Sequence, residues 1–270
     1  MKLYTACVYL FLYVPIGIIA LFSFNAGRHA SQFEGFSLRW YGRAFSNPFV
    51  MDALWTSLTV AFVSATLASL LGTLAAVGLQ GIRGPLRALF DAVIYIAVMI
   101  PGIVIGIATL IALVTLFNGI NPWLAAVWPA GGTPPAFAMG KVSLIAAHTM
   151  FTMALVIIIV RTRLATLDQA LTEASADLYA TPMGTFRQVT LPLIAPAILA
   201  GFLLSFTFSF DDFIIAFFVA GSETTLPIYV FSSIRRGVTP EINVIGTVVM
   251  AASLVLLVTA QLVLRRGQRH

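Results

Sequence analysis

Charge is scarce in this sequence: Asp, Glu, Lys and Arg make up 9% of its 270 residues, while 60% are hydrophobic. Soluble domains carry roughly 25% charged residues, so a water-soluble globular domain is excluded. Lysine occurs only at Lys2 and Lys141. A phosphate-binding P-loop needs Gly, four residues, then Gly-Lys-Ser/Thr. Here Gly140-Lys141 is followed by Val142, and Pro135 stands where the first glycine belongs. ATP used in any transport must therefore be bound by another polypeptide. The single cysteine, Cys7, allows no intrachain disulfide. The histidines His29, His148 and His270 show no metal-ligand spacing, and His148, inside an apolar run, reads as a packed core histidine. A membrane-embedded enzyme would need a His, Cys or carboxylate constellation near one face, and none is visible.

Apolar length, by contrast, is abundant. A bilayer span takes about 20 residues, and six runs reach that length: Leu3–Phe24, Leu54–Gln80, Leu89–Phe117, Val142–Val160, Leu193–Ala220 and Asn243–Leu264. The first is too long for a signal-peptide core of about 7–15 residues and lacks a following cleavage site, so it reads as a retained helix. The fold class expected is an all-α membrane protein with six transmembrane helices in a single domain spanning residues 1–270. Gly and Ala recur at Ala65, Ala68, Gly72, Ala75 and Ala76, which predicts close helix packing. Pro101 and Gly102 interrupt the third run and predict a kink. Trp123 and Trp128, in a Pro- and Gly-rich segment, read as interfacial anchors.

The formal net charge of +5 fits membrane topology better than a nucleic-acid partner. Placing both termini in the cytoplasm puts Lys2, Arg83, Arg87, Arg161, Arg163, Arg187, Arg265, Arg266 and Arg269 inside. Arg28, Arg39, Arg43, Lys141, Arg235 and Arg236 then fall outside, a bias in the expected direction. The outer loops become Asn25–Ala53, Asn118–Lys141 and Gly221–Ile242; the inner ones are Gly81–Arg87 and the longer Arg161–Pro192.

That longer inner loop contains EASADLYATPMGTFRQVTLP, Glu173–Pro192. Leu167, Leu171, Ala174 and Leu178 follow i, i+4, i+7 and i+11, one face of a helix. Thr181-Pro182 predicts a second helix, with Thr181 as N-cap and Pro182 at the first position. Leu191-Pro192 is expected to close the unit before the fifth run. The periodicity alone is equally that of an amphipathic helix resting on lipid headgroups. Residue identity goes further. The loop resembles the cytoplasmic coupling motif of ATP-binding-cassette (ABC) importer permeases, E-A-A, three residues, G, nine residues, I-x-L-P. Glu173, Ala174, Val189, Leu191 and Pro192 match it, Ser175 replaces the third-position Ala, and Tyr179 stands where Gly is usual. The resemblance implies that Glu173, Ala174, Ser175, Asp177, Tyr179, Leu191 and Pro192 belong to a helical knob that docks on an ATPase subunit.

Two further stretches, FTFSFDDFIIAFFVAG (Phe206–Gly221) and TLPIYVFSSIRRGVTPEINVIGT (Thr225–Thr247), resemble the second permease subunit of spermidine/putrescine importers, with a weaker match at GFSLRWYGRAFSNP (Gly35–Pro48). This implies a type I ABC importer permease (MetI-like) fold in a bacterial cytoplasmic membrane. It also implies a second homologous permease, two copies of an ABC ATPase holding ATP and Mg, and an external substrate-binding protein, with no cofactor in this chain. Residue chemistry independently points to Asp211 and Asp212, which an 18-residue helical rise of about 27 Å from Leu193 puts in the outer part of the fifth helix. Charge at that depth is costly and usually faces a cavity or a partner. Gly201, Ser205, Ser209 and Asp212 form one polar stripe, Thr207 and Asp211 a shorter one. A pathway for a cationic amine would use Asp211, Asp212, Ser209 and Phe210, with Phe206 and Phe213 adding cation–π contacts. The same aspartates would equally serve as an ion-pair partner or a cap at a helix break. Other solutes of the importer class, such as amino-acid derivatives, other amines or iron, stay open. An ion-driven secondary transporter would need ionisable relays in several helices, and these two aspartates are nearly the only deep charges.

Overall fold

A computed structural model describes residues 2–28, 32–129, 132–237 and 239–267. His29, Arg269 and His270 lie outside them, as do Ala130, Gly131 and Val238 of the stretches quoted above. The chain is helical throughout, and an isolated bridge between Asn25 and Phe36 is the one β pairing among the described residues. The helices are α1 (Lys2–Phe22), α2 (Arg39–Ser46), α3 (Pro48–Gly78), α4 (Pro85–Met99), α5 (Gly102–Val127), α6 (Lys141–Ala165), α7 (Gln169–Asp177), α8 (Pro182–Thr185), α9 (Leu191–Asp211), α10 (Ile214–Val219), α11 (Leu226–Arg236) and α12 (Pro240–Gly267). Five stretches are long and apolar enough to cross a membrane: Tyr4–Phe22, Pro48–Gly81, Gly102–Val127, Lys141–Ala165 and Pro182–Asp211. Pro240–Val255 is a shorter apolar helix.

Several of the sequence boundaries move, and the second span begins at Pro48 rather than Leu54. The third span lies at Gly102–Val127 rather than Leu89–Phe117, because the chain breaks at Ile100-Pro101 and leaves α4 as a separate helix. Proline pushes its predecessor out of the helical region, and Ile100 sits at ψ 133. The fifth run also breaks, at Asp212-Phe213, giving α9 and the short α10. Leu191-Pro192, expected to close the loop, interrupts nothing: α8 passes through a π-helical turn, Phe186–Thr190, straight into α9. Proline lacks an N–H and its ring crowds the carbonyl four residues back, and a π turn is a common way to absorb that. Two of the segments expected as outer loops hold structure of their own, α2 and α11.

The chain divides into two compact units, Met1–Trp55 with Leu226–His270, and Thr56–Thr225. In the first, α12 packs on α1 and α2 around Trp40, Ala44 and Val244. The Trp40 indole N–H donates to the Gly27 carbonyl at 2.9 Å, and the Arg39 and Arg43 guanidinium groups lie 5.1 and 5.3 Å from its ring centroid. The Asn47 side chain donates to Glu241 at 2.8 Å and so joins the end of α2 to the start of α12.

In the second unit α6 is central, packing on α9, α4, α5 and α10. Small residues let helices approach closely, as the sequence predicts: Ala65, Ala68 and Ala76 are fully buried. Val156 of α6 occupies the space left by two glycines. A Cβ at Gly72 of α3 would stand 2.9 Å from the Val156 Cβ, and one at Gly201 of α9 would stand 3.3 Å from its Cγ1. Val156, Val160, Leu164 and Ile194 continue this core toward the loop.

Candidate functional site

The loop after α6 is built from local signals. Asp168 caps α7, its carboxylate accepting the Ala170 N–H at 3.0 Å. The helix ends in a paired closure in which the Tyr179 N–H donates to Ala176 and the Ala180 N–H to Ser175. This is the Schellman pattern, which requires a left-handed residue just past the C-cap and so favours glycine. Tyr179 holds that conformation, with φ 57, the one positive φ at a non-glycine among the described residues. A side chain there costs roughly 1–2 kcal/mol relative to glycine. The turn thus explains the glycine of the related motif and identifies Tyr179 as a strained replacement. As the sequence predicts, Thr181 then caps the next helix by accepting the Gly184 N–H at 3.1 Å, with Pro182 at its start. Ser175, the other departure from the motif, meets Thr185 hydroxyl to hydroxyl at 2.9 Å and clamps α7 to α8.

Exposure divides the loop residues. Glu173, Ala174, Asp177 and Pro192 are exposed, and Tyr179 is 97% exposed. Leu191 and Leu167 pack against the core of the second unit. The apolar stripe is consequently not continuous: Leu167 turns inward, while Leu178, past the end of α7, is 81% exposed. At the root of the loop lies a cavity of about 460 Å³ lined by residues including Gln80, Arg87, Arg161, Asp168, Leu171 and Val189. Two of its lining arginines are held by Asp91, which pairs with Arg161 at 2.6 Å and Arg87 at 3.3 Å. Sequence reading passes over Asp91; its signal is the i, i+4 spacing from Arg87.

At the far end of α9 the two adjacent aspartates have different surroundings. The Asp212 carboxylate accepts the Ala216 N–H at 2.9 Å and caps α10, and it lies 3.6 Å from the His148 Nε2. That separation is too long for a hydrogen bond. His148 is buried on α6 and its Nδ1 lies 2.7 Å from the Ser209 hydroxyl. Gly201, Ser205 and Ser209 are likewise buried, so their stripe is the face α9 presents to α6. Asp211 and Thr207 belong to the exposed face, and within its unit the Asp211 carboxylate has no hydrogen-bond donor or cation paired with it among the described residues. Beside it runs a ladder of half-buried rings, with Phe202 and Phe206 stacked at 6.5 Å and Phe206 and Phe210 at 6.0 Å. The α10 segment is wedged in place: a Cβ at Gly106 of α5 would stand 2.7 Å from the Phe218 ring, and the Ser143 hydroxyl of α6 donates to the Val219 carbonyl at 2.6 Å.

Apolar helices of spanning length, a capped helical knob where one pair of them is joined, and a carboxylate at the opposite end of one of that pair are the parts of a transport permease. The chain belongs to the family of binding-protein-dependent transport system inner membrane components, whose model matches residues 68–269. It is 39% identical over 249 residues to the putrescine transport system permease protein PotI of Escherichia coli strain K12, covering 90% of this chain and 82% of that one. It is 36% identical to the spermidine/putrescine transport system permease protein PotC of Haemophilus influenzae, over 96% and 94% of the two chains. The same fold is seen in the crystal structure of a bacterial ABC transporter that imports the acidic polysaccharide alginate, with TM-score 0.74 at 18% identity over 98% and 94% of the chains. It is seen again in the MetNI methionine ABC transporter, with TM-score 0.58 at 19% identity over 82% and 95%. The fold is therefore that of an ABC importer permease, a membrane subunit rather than a catalytic one.

Proposed function

We propose that this chain is one of two permease subunits of an ATP-driven importer for polyamines of the putrescine and spermidine kind. The observation that carries the substrate class is the identity to a putrescine permease across 90% of this chain. An exposed carboxylate beside a ladder of aromatic rings supports it, since such a site suits an ammonium group. Asp211, with Phe206 and Phe210, faces the substrate; Asp212 and Ser209 hold the helix break that positions it. An external binding protein delivers the polyamine. Two copies of an ATPase, holding ATP and Mg, dock on the loops of the two permeases, this one through Glu173, Ala174, Asp177 and Tyr179. ATP binding opens the pathway outward and hydrolysis returns it inward. Both termini lie in the cytoplasm, on the ATPase side.

Purification of the tagged chain from its own membranes in mild detergent tests this reading. Recovery of a P-loop ATPase and a second six-helix permease, with ATPase activity stimulated by binding protein loaded with putrescine or spermidine, is expected. Glu173→Lys should leave the chain inserted and lose the ATPase. A chain that purifies alone and moves polyamine on an ion gradient would overturn the proposal.

A further inference from the structure

Tyr179 presents a problem that the fold does not solve. Its backbone sits where glycine is suited, and its ring, 97% exposed, makes no packing contact that offsets the strain. Two neighbours along the turn are also apolar and open, Leu178 at 81% and Met183 at 71% exposure. Leu178 and Tyr179 lie in the turn before the Pro182–Asp211 stretch and Met183 in its first turn, at the loop end, where lipid tails do not account for exposed apolar groups. A contiguous apolar patch in water marks an interaction site. On its α7 side the patch is flanked by acid, with Glu173 and Asp177 exposed, while the exposed Arg187 lies one turn beyond Met183. Acidic residues disfavour the anionic headgroups of a cytoplasmic leaflet, which attract basic segments instead. They favour a protein surface whose apolar pocket has a basic rim.

We propose that Tyr179 is an anchor that the Schellman turn aims outward into an apolar, basic-rimmed pocket of the ATPase subunit, with Leu178 and Met183 covering the pocket edge. Tyrosine suits this task because it brings large contact area with few rotatable bonds and a hydroxyl for the pocket wall. The inference rests on the loop docking an ATPase, and it adds that the residue in the glycine position contributes binding of its own. The left-handed backbone is then a means of presentation: a right-handed residue at this place would continue α7 and turn the ring along its side.

The test uses the complete permease pair in nanodiscs, titrated with its own ATPase. Tyr179→Gly and Tyr179→Asn both suit the left-handed turn, so neither should unfold the loop. At least a tenfold weaker ATPase affinity is expected for each, with Tyr179→Phe within about threefold of the parent. The Tyr179→Gly permease should melt no lower than the parent, which separates lost contact from lost structure. Binding of Tyr179→Gly as tight as that of the parent would overturn the anchor while leaving the docking loop intact. A loss confined to discs of anionic phosphatidylglycerol and absent in neutral phosphatidylcholine would assign the ring to lipid and overturn it equally. Failure of the parent itself to bind any ATPase would remove the reading on which the anchor rests.

Discussion

Asp211 and Asp212 are neighbours in sequence and chemically identical, yet one is tied down and the other is not. Asp212 spends an oxygen on the amide of Ala216 and faces buried His148, whereas Asp211 lies on the exposed face of α9. Asp211→Asn is expected to raise the KM for putrescine uptake at least tenfold while leaving the melting temperature of the purified complex unchanged. Asp212→Ala removes the cap of α10, worth about 1 kcal/mol at a typical N-cap, and should lower the melting temperature and the yield. Uptake assays beside thermal denaturation check both. Equal behaviour of the two variants would end the division of labour. At this scale the sequence is legible where chemistry is local: the residue types of Thr181 and Pro182 are enough to mark a helix start. What it leaves open is direction. Hydrophobicity and periodicity place Ser209 and Asp212 on one stripe, but which stripe meets α6 depends on His148, sixty-one residues away along the chain.

Helices obey the same division between local and distant causes. The fourth run is legible nearly to its ends because Gly140 and Lys141 on one side and Arg161 and Arg163 on the other bracket it. The third is misplaced because proline marks a break but not which half then spans the membrane. At Leu191-Pro192 the same residue type marks no break, since the π turn absorbs it. Close packing at Val156 gives a sharper expectation. Gly72→Ala would force a methyl to 2.9 Å from the Val156 Cβ, and overpacking of this kind costs about 1–3 kcal/mol. Gly119 of α5 has nothing within 4 Å of an added Cβ, so Gly119→Ala should be neutral or stabilise by about 0.5–1 kcal/mol. Denaturation of the two variants in the same detergent gives the comparison; similar melting temperatures would refute the role assigned to Gly72.

On the scale of the whole molecule, the orientation of the chain decides which aqueous phase each end of α9 meets. The positive residues favour a cytoplasmic loop only modestly, and the structure supplies a reason. Arg39 and Arg43 lie over Trp40, and Arg235 lies 6.0 Å from the Phe231 ring centroid, so several basic residues in the segments expected outside have structural partners of their own. A green fluorescent protein fused after the C-terminus should fluoresce and an alkaline phosphatase fused there should be inactive; the reverse result would place the loop on the wrong side for any ATPase. One consequence of the unbroken run Pro182–Asp211 remains. Thirty residues at 1.5 Å each make a rod of about 45 Å, with Thr181 and the clamp to Ser175 at one tip and Asp211 at the other. Such a rod behaves as a seesaw. A tilt of about 5° around its middle carries each tip about 2 Å in opposite directions, so a shove on the loop becomes a displacement of the carboxylate, less whatever bending the π turn and Pro196 take up on the way.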